Sequence, residues 1–522
     1  MKKINILIIG FLLTASLGCK KYLDINNNPN GPSLADPALY LPSIQANYAQ
    51  GIQFDARLVG PYIQNFLSSS GGATLDRHGY FSGSDFGGSM WRNVYWKGGF
   101  NTLDLIKNAT AQKKWDQVGV GIALQAYGWQ MLTDYHGPII LKQAFDSSRN
   151  IFDYDTQDTV YAYVQRQCME AIEYLNRSDD AVGSPLFKRF DQIYKGDRVK
   201  WKKFVYGILA INAHHLIKKS FYKPDDVISY VDQSFTSNAD DPIVPFAGTI
   251  ADDASAYGPL NQILGTYGQS AFIVRLTDGS VFGGAKDPRQ AVMLNPSVDG
   301  LYRGLTPSVG QSSTVSASSV GVRSLFGTLL GTNNIPQTGP GTVGKYFFND
   351  KAGFPLMSYA ELQFIKAEAA FVKGNKNLAL SAYKIAVNAS LDATIRSELN
   401  PIPIASLANY NADRALFLAN PVVIPTSSAT LTLNHILLQK YIALWGWGVI
   451  ETWTDLRKYD YDENIFTSFT LPTTFFTNNN GNPAYRVRPR YNSEYLWNID
   501  ALTAIGGFDL DYHTKKMWIQ LP

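Results

Sequence analysis

The side chains of this 522-residue chain best suited to recognising another molecule are aromatics set among acids and arginines in glycine-rich sequence. Residues 67–90 run LSSSGGATLDRHGYFSGSDFGGSM and carry Asp76, Arg77, Tyr80, Phe81, Asp85 and Phe86, with Trp91 and Arg92 directly behind. Tyr257, Tyr267, Arg275 and Tyr302 stand in a second irregular stretch. An aromatic face stacks while a neighbouring acid or guanidinium hydrogen-bonds, so the combination makes a recognition surface. For any single ring the alternative is packing. Trp91 stands at a helix start, where core is the first reading, and Tyr80, Phe81 and Tyr302 are the better single contacts. The ligand-contact set is therefore Tyr80, Phe81, Asp85, Phe86, Trp91, Arg92, Tyr257, Tyr267 and Tyr302. The two stretches are expected to share one exposed face on a rigid scaffold.

Catalytic and metal chemistry have less to work with. The six histidines are scattered, and His214 and His215, adjacent on a helix, point about 100° apart and cannot face one metal together. Neither the zinc-protease helix motif nor a cysteine pair is present, nor a Gly-x-Ser-x-Gly elbow or a phosphate-binding glycine loop. Asp153, Asp155 and Asp158 could ligate calcium, but the run lacks the glycine and distal glutamate of an EF-hand. The same run reads as a solvated helix start, with Asp158 favoured by the helix dipole. No cofactor is expected. Glu361, Glu368 and Glu451 are the obvious acids on helices; Glu361 and Glu368 share a face within a hairpin that must pack. Trp453, Asp455 and Arg457 read as a structural network in which the arginine fork holds a carboxylate.

What positions these residues is helical. In 358–391, SYAELQFIKAEAAFVKGNKNLALSAYKIAVNASL, apolar residues recur at helical spacing on both sides of Lys373-Gly374-Asn375. Gly374 stands where a helix ends in a left-handed residue. Phe364, Ala367, Phe371, then Ala379, Tyr383 and Ala386, resemble a tetratricopeptide unit, with alanines admitting large rings from the facing helix. Phe371 and Tyr383 are expected to be buried. Such a unit cannot cover its own faces, so neighbouring helical pairs must exist; an ordinary helical hairpin is the alternative. Further helical periods run over 37–66, 91–109, 116–135, 158–176, 201–218, 224–235, 404–420 and 435–458. The predicted class is mainly α, with a loop-rich insertion at 237–355 carrying a few short strands. It separates an N-terminal helical half (37–236) from a C-terminal one (356–458), and 459–522 is an irregular aromatic tail packing on the body.

The start of the chain speaks to compartment. Positive charge at Met1–Lys3, a short apolar run and Ser16-Leu17-Gly18-Cys19 look like a bacterial lipoprotein signal, with Cys19 accepting lipid. Residues 1–18 are then a signal peptide and 19–36 a lipidated tether; an ordinary secretory signal cleaved near Ala15 is the alternative. Several acyl tails suffice for stable anchoring. Cys168, the other cysteine, is left without a disulfide partner and reads as a small buried hydrophobe. The net charge of +3 without a long basic run leaves nucleic acid no electrostatic footprint.

Six segments together resemble one family. CKKYLDINNNPNGP after the lipobox is similar to the start of SusD/RagB-type outer-membrane lipoproteins of Bacteroidetes-like bacteria. LTDYHGPIIL, WKKFVYGILAINAHHLIK, SYAELQFIKAEAAFVKGN, QKYIALWGWGVIETWTDLRKY and YRVRPRYNSEYLWN follow in that family's order. His136 and Val205-Tyr206-Gly207 depart from its usual residues. The resemblance implies a tetratricopeptide-like body with an irregular, ligand-carrying portion. It also implies a non-catalytic, cell-surface protein that captures a nutrient, usually a glycan, as the lid of a SusC-like TonB-dependent transporter. On that footing the aromatic loops would stack on sugar rings while Asp, Asn and Arg bond the hydroxyls. The alternatives are a peptide-binding or purely scaffolding lid and, from another class, a glycoside hydrolase, since any two carboxylates can converge at the required separation.

Overall fold

Residues 35–179, 182–330 and 344–522 are described by the structure, a computed structural model; Cys19, the signal and the tether up to residue 34 lie outside them. The long helices are α1 (Leu41–Tyr62), α2 (Gly99–Ala111), α3 (Trp115–His136), α4 (Gln157–Asn176), α5 (Arg198–His214) and α6 (Pro224–Gln233). After the insertion come α7 (Tyr359–Val372), α8 (Lys376–Thr394), α9 (Leu407–Ala419), α10 (Leu433–Leu444) and α11 (Val449–Lys458). From α2 to α8 each packs on the next, α6 bridging to α7 across the insertion, so antiparallel pairs stack into one array. The mainly α, tetratricopeptide-like class expected from the sequence is the one adopted.

Side-chain size explains the close stacking. On α3, a Cβ at Gly121 would stand 2.6 Å from Leu105 of α2, and one at Gly119 would stand 2.7 Å from Leu175 of α4. The two glycines therefore let α3 lie against both neighbours. In the α7–α8 hairpin, Phe364, Ala367, Ala379, Tyr383 and Ala386 are fully buried. Tyr383 also donates its hydroxyl to Val423 O at 2.7 Å. Ser358 and Glu361 cap α7 reciprocally, Ser358 Oγ accepting from Glu361 N at 3.1 Å and Glu361 Oε2 from Ser358 N at 3.0 Å. Phe371 corrects the expectation of burial. It lies in the last turn of α7, where neighbours thin out, and is half-buried with the Lys376 ammonium 5.5 Å over its ring.

Caps shift other boundaries. Asp197 accepts from Val199 N at 2.9 Å and Lys200 N at 3.1 Å, so α5 begins at Arg198 rather than Trp201 and stops at His214. The expected helix at 91–109 is broken instead into a short turn, Ser89–Arg92, a π-turn, Asn93–Lys97, and α2. The 435–458 run divides at Trp445–Gly448, where Gly446 has φ +88°.

The strands are short: β1 (Phe66–Ser68), β2 (Ile243–Val244), β3 (Tyr267–Gln269) and β4 (Phe354–Pro355). β2 and β4 pair antiparallel, so the loop-rich stretch leaves and rejoins the helices at one point. β3 pairs with β1, Ser68 facing Tyr267 and Phe66 facing Gln269, which ties the insertion to the start of the aromatic loop.

An ionic network lies buried between α3, α5, α7, α10 and α11. Lys440 meets Glu451 at 2.6 Å and Asp455 at 2.9 Å, and Lys458 meets Glu368 and Asp455, each at 2.8 Å. His214 Nε2 reaches Glu368 at 2.9 Å, while His215 Nε2 reaches Glu451 at 2.7 Å and its Nδ1 reaches Asp134 at 3.3 Å. The adjacent histidines thus serve different arms. Arg457 corrects a sequence expectation. Its fork takes the carbonyls of Tyr485 and Asp134, at 2.8 and 2.9 Å, and not Asp455, whose carboxylate goes to the two lysines.

Candidate functional site

The aromatic loop is held by α1 and by the tail. Asp55 of α1 accepts from Ser89 N at 2.9 Å and Met90 N at 2.7 Å, satisfying amides of the turn that ends the loop. Burial pushes the Asp55 carboxyl up to about 6. Tyr62 donates to Gly79 O, and Phe476 N donates to Arg77 O at 2.9 Å. The His78 ring, buried at φ +59°, accepts from Ala484 N at 3.2 Å.

The tail is fixed in turn by helix ends. Val487 N donates to Tyr135 O at 2.8 Å, and His136 Nδ1 donates to Val487 O at 3.1 Å, just before α3 stops at Gly137. Arg457 completes the clamp on Tyr485 and Asp134. Burial pulls its guanidinium down to about 10. Segments from α3, α11 and the tail therefore meet at a single junction beneath the loop.

Between loop and tail lies a cleft of about 260 Å³. Tyr80, Phe81, Asp85 and Phe86 line one side, and Arg486, Arg488, Arg490, Tyr491 and Tyr495 the other, with Phe508, Leu510 and His513 at the end. Gly87 at the floor has φ +86°, and a Cβ there would stand 2.7 Å from Leu58. Tyr80 packs edge-on to His513, centroids 4.8 Å apart, and the Arg488 guanidinium sits 4.5 Å from its ring. Phe81 is 44% exposed and meets Phe86 edge-on at 5.2 Å. Asp85 accepts from Arg490 and from Asn492 N, the latter at 2.8 Å. Burial, reinforced by Arg488, pulls His513 down to about 3, so its imidazole is neutral. An exposed Phe81 and the half-buried rings of Tyr80 and Phe86, beside fixed guanidiniums and a carboxylate, can grip a flat apolar face and the polar groups around its edge together.

The other sequence candidates sit elsewhere. Trp91 is core, packed on Tyr95 and His136 at 4.9 and 5.1 Å. Tyr257 is fully buried, stacked on Phe348 at 5.7 Å, and so is not on a surface. The insertion folds over it because its ring is large enough to anchor loops. Tyr267 lies edge-on to Phe66 across β1 and β3 at 5.4 Å. Tyr302 and Arg92 are half-buried and do not line the cleft. The expected meeting of loop and insertion is thereby corrected: the insertion joins residues 66–72, through Gly72 N to Ser308 O at 2.7 Å and the β1–β3 pair. The aromatic residues 80–88 turn to the tail instead. The residues not anticipated are Arg486, Arg488 and Arg490. Their signal was the alternation YRVRPRY at 485–491, which sets arginines at every second position.

The remaining chemistry is committed inside the body. Glu368 and Glu451 belong to the ionic network, and Glu361 caps α7. Asp155 accepts from Leu141 N and Lys142 N at 3.1 and 2.9 Å, and Asp153 accepts from Gln143. Among the described residues no group of acids, histidines or cysteines is arranged to hold a metal ion. No helix among them is long and apolar enough to cross a membrane.

A family model, SusD-like, described as "Starch-binding associating with outer membrane", matches residues 29–488. No curated protein matches the chain. Among solved structures, a chitin-binding protein superposes with TM-score 0.67 at 20% identity, over 93% of this chain and 100% of that one. A SusD/RagB family protein from Bacteroides thetaiotaomicron gives 0.66 at 22% identity, over 93% and 99%. A chitin-binding SusD homolog from Flavobacterium johnsoniae gives 0.65 at 19%, over 93% and 97%. At such identities the likeness speaks for the fold alone.

Proposed function

The chain belongs to the SusD-like family, and from that premise we propose that it is a non-catalytic glycan-binding lipoprotein of the outer membrane. Cys19 carries the lipid, the body faces the cell exterior, and the captured oligosaccharide passes to a SusC-like TonB-dependent transporter. The observation that supports capture most directly is the cleft, where Tyr80 and Phe81 stand opposite Arg488 and Arg490. Sugars offer C–H faces to rings and hydroxyls to polar side chains, and this cleft sets rings beside guanidiniums and a carboxylate. At about 260 Å³ it is smaller than the ~300–1,000 Å³ of common ligand pockets, which suits one end or a short stretch of a chain. The family description and the chitin-binding proteins of the same fold agree with a carbohydrate ligand.

Calorimetry of the mature chain against a panel of oligosaccharides tests the reading. Tyr80→Ala and Phe81→Ala are each expected to weaken binding by about 0.5–1.5 kcal/mol, the contribution of a stacked ring. Tyr302→Ala, outside the cleft, is expected to leave affinity unchanged. Binding of peptides and of no oligosaccharide would replace the glycan reading with the peptide one. Turnover of a bound oligosaccharide would make the protein a hydrolase. Co-purification with a TonB-dependent transporter tests the delivery step separately.

A further inference from the structure

Charge around the cleft is unevenly cancelled. Arg490 is paired with Asp85 across the opening. Among the described residues Arg486 and Arg488 have no carboxylate partner, and carbonyl oxygens take most of their N–H groups. Arg486 donates Nε to Lys515 O at 2.8 Å and Nη2 to Lys516 O. Arg488 donates to Gly507 O at 2.7 Å, Asp509 O at 2.9 Å and the Tyr495 hydroxyl at 3.0 Å. Such bonds fix the guanidinium planes but leave their unit charges in place.

The nearest acids face lysines and not these two arginines. Asp509 and, at 3.8 Å, Asp511 face Lys515, and Asp460 meets Lys516 at 2.7 Å. Two fixed guanidiniums with no carboxylate contact therefore stand beside the aromatic walls, while Asp509 and Asp511 share a single lysine. Neutral hydroxyls can accept a hydrogen bond from them, but only an anion also cancels the charge.

Resting on the glycan reading above, we infer that the cleft takes an acidic oligosaccharide, one whose rings carry carboxylate or sulfate groups. The rings of Tyr80 and Phe81 hold the sugar faces, and Arg486 and Arg488 supply the field that selects the charged members. A shape-matched neutral glycan makes the same stacking contacts and forgoes the ionic ones.

The test is calorimetry of the mature chain against matched pairs: oligogalacturonides and their methyl esters, chondroitin sulfate oligosaccharides and their desulfated forms, with malto- and chito-oligosaccharides as neutral references. In one pair the charged member is expected to bind about ten-fold or more tightly than its neutral twin. Which pair responds distinguishes carboxylate from sulfate. That preference should shrink as salt rises from about 50 mM to about 500 mM, because partly exposed charges are screened. Arg486→Gln should lower affinity for the charged member several-fold more than for its neutral twin. Both arginines also bond backbone of the tail, so Arg486→Gln is read only with its fold checked by unfolding, and the salt series, which needs no variant, carries the test. Equal affinity for charged and neutral members, or binding of neutral glycans alone, overturns the acidic-ligand inference and leaves glycan capture standing. Binding of no oligosaccharide overturns both.

Discussion

At the scale of single residues, the cleft depends on positions with no freedom to vary. Gly87 has φ +86°, a conformation L-residues rarely adopt, and an added Cβ would press on Leu58 and approach Tyr135 Oη and Val487 at 3.5 Å. Gly87→Ala should therefore destabilise the protein by about 1–2 kcal/mol through backbone strain, visible in urea or thermal unfolding. Because Leu58 and Val487 also line the cleft, the same variant should bind oligosaccharide more weakly than its loss of stability alone explains. Full affinity in a folded Gly87→Ala protein would show that the floor tolerates the displacement. Trp91 illustrates the opposite case: an aromatic beside the loop whose ring the core has claimed.

At the scale of elements, the helices are joined by charge as well as by apolar surface. Lys440 on α10 is fully buried between Glu451 and Asp455 of α11. Lys440→Met should cost about 3–5 kcal/mol, because the two carboxylates lose their shared cation in a place water does not reach. A melting temperature close to that of the parent would refute that assignment.

The same network predicts a pH dependence. Burial alone would lower His215, but the Glu451 and Asp134 carboxylates lift it to about 9. Burial, with Glu451 nearby, likewise holds Glu361 above the ordinary carboxylate range. Both groups bind protons more tightly folded than unfolded. The His215 contribution is fully present below its unfolded pKa of about 6.5 and is lost as pH rises through about 9. Glu368 and Glu451 lie below their ordinary value, and although burial opposes this, Lys458 and Lys440 respectively overcome it. Their contribution is lost on acidification. Thermal stability should thus decline between about pH 6.5 and 9, and His215→Gln should flatten that slope. An unchanged slope in the variant would remove His215 from the account.

At the scale of the whole molecule, the chain returns on itself. The tail lies against the end of α3, is clamped by Arg457 of α11, and finishes with the Lys219 ammonium 2.8 Å from Leu521 O. Sequence-distant segments therefore share one junction, and the cleft has its second wall only where tail residues 486–513 pack against the loop. The proposed anchor belongs to this scale as well. Cys19→Ala is expected to move the protein from the membrane fraction to the soluble fraction when no transporter is present. Retention in the membrane would count against lipidation at that residue.

The sequence by itself determined the helical class, the α7–α8 hairpin and the family resemblance, because these rest on local spacing. Phe364, Ala367 and Tyr383 repeat at helical intervals, and burial of one side follows from that periodicity alone. It also marked Tyr80, Phe81, Asp85 and Phe86, whose polar, glycine-rich surroundings set them apart from core. What only the tertiary structure decided was their partner. The insertion's strand β3 pairs with residues 66–68 and Tyr257 disappears beneath it, whereas YRVRPRY crosses to face Tyr80. No local pattern distinguishes those outcomes, since a loop's neighbour is fixed by where helix ends such as Tyr135 and Arg457 offer hydrogen bonds, and those ends are brought together only by packing of the whole array.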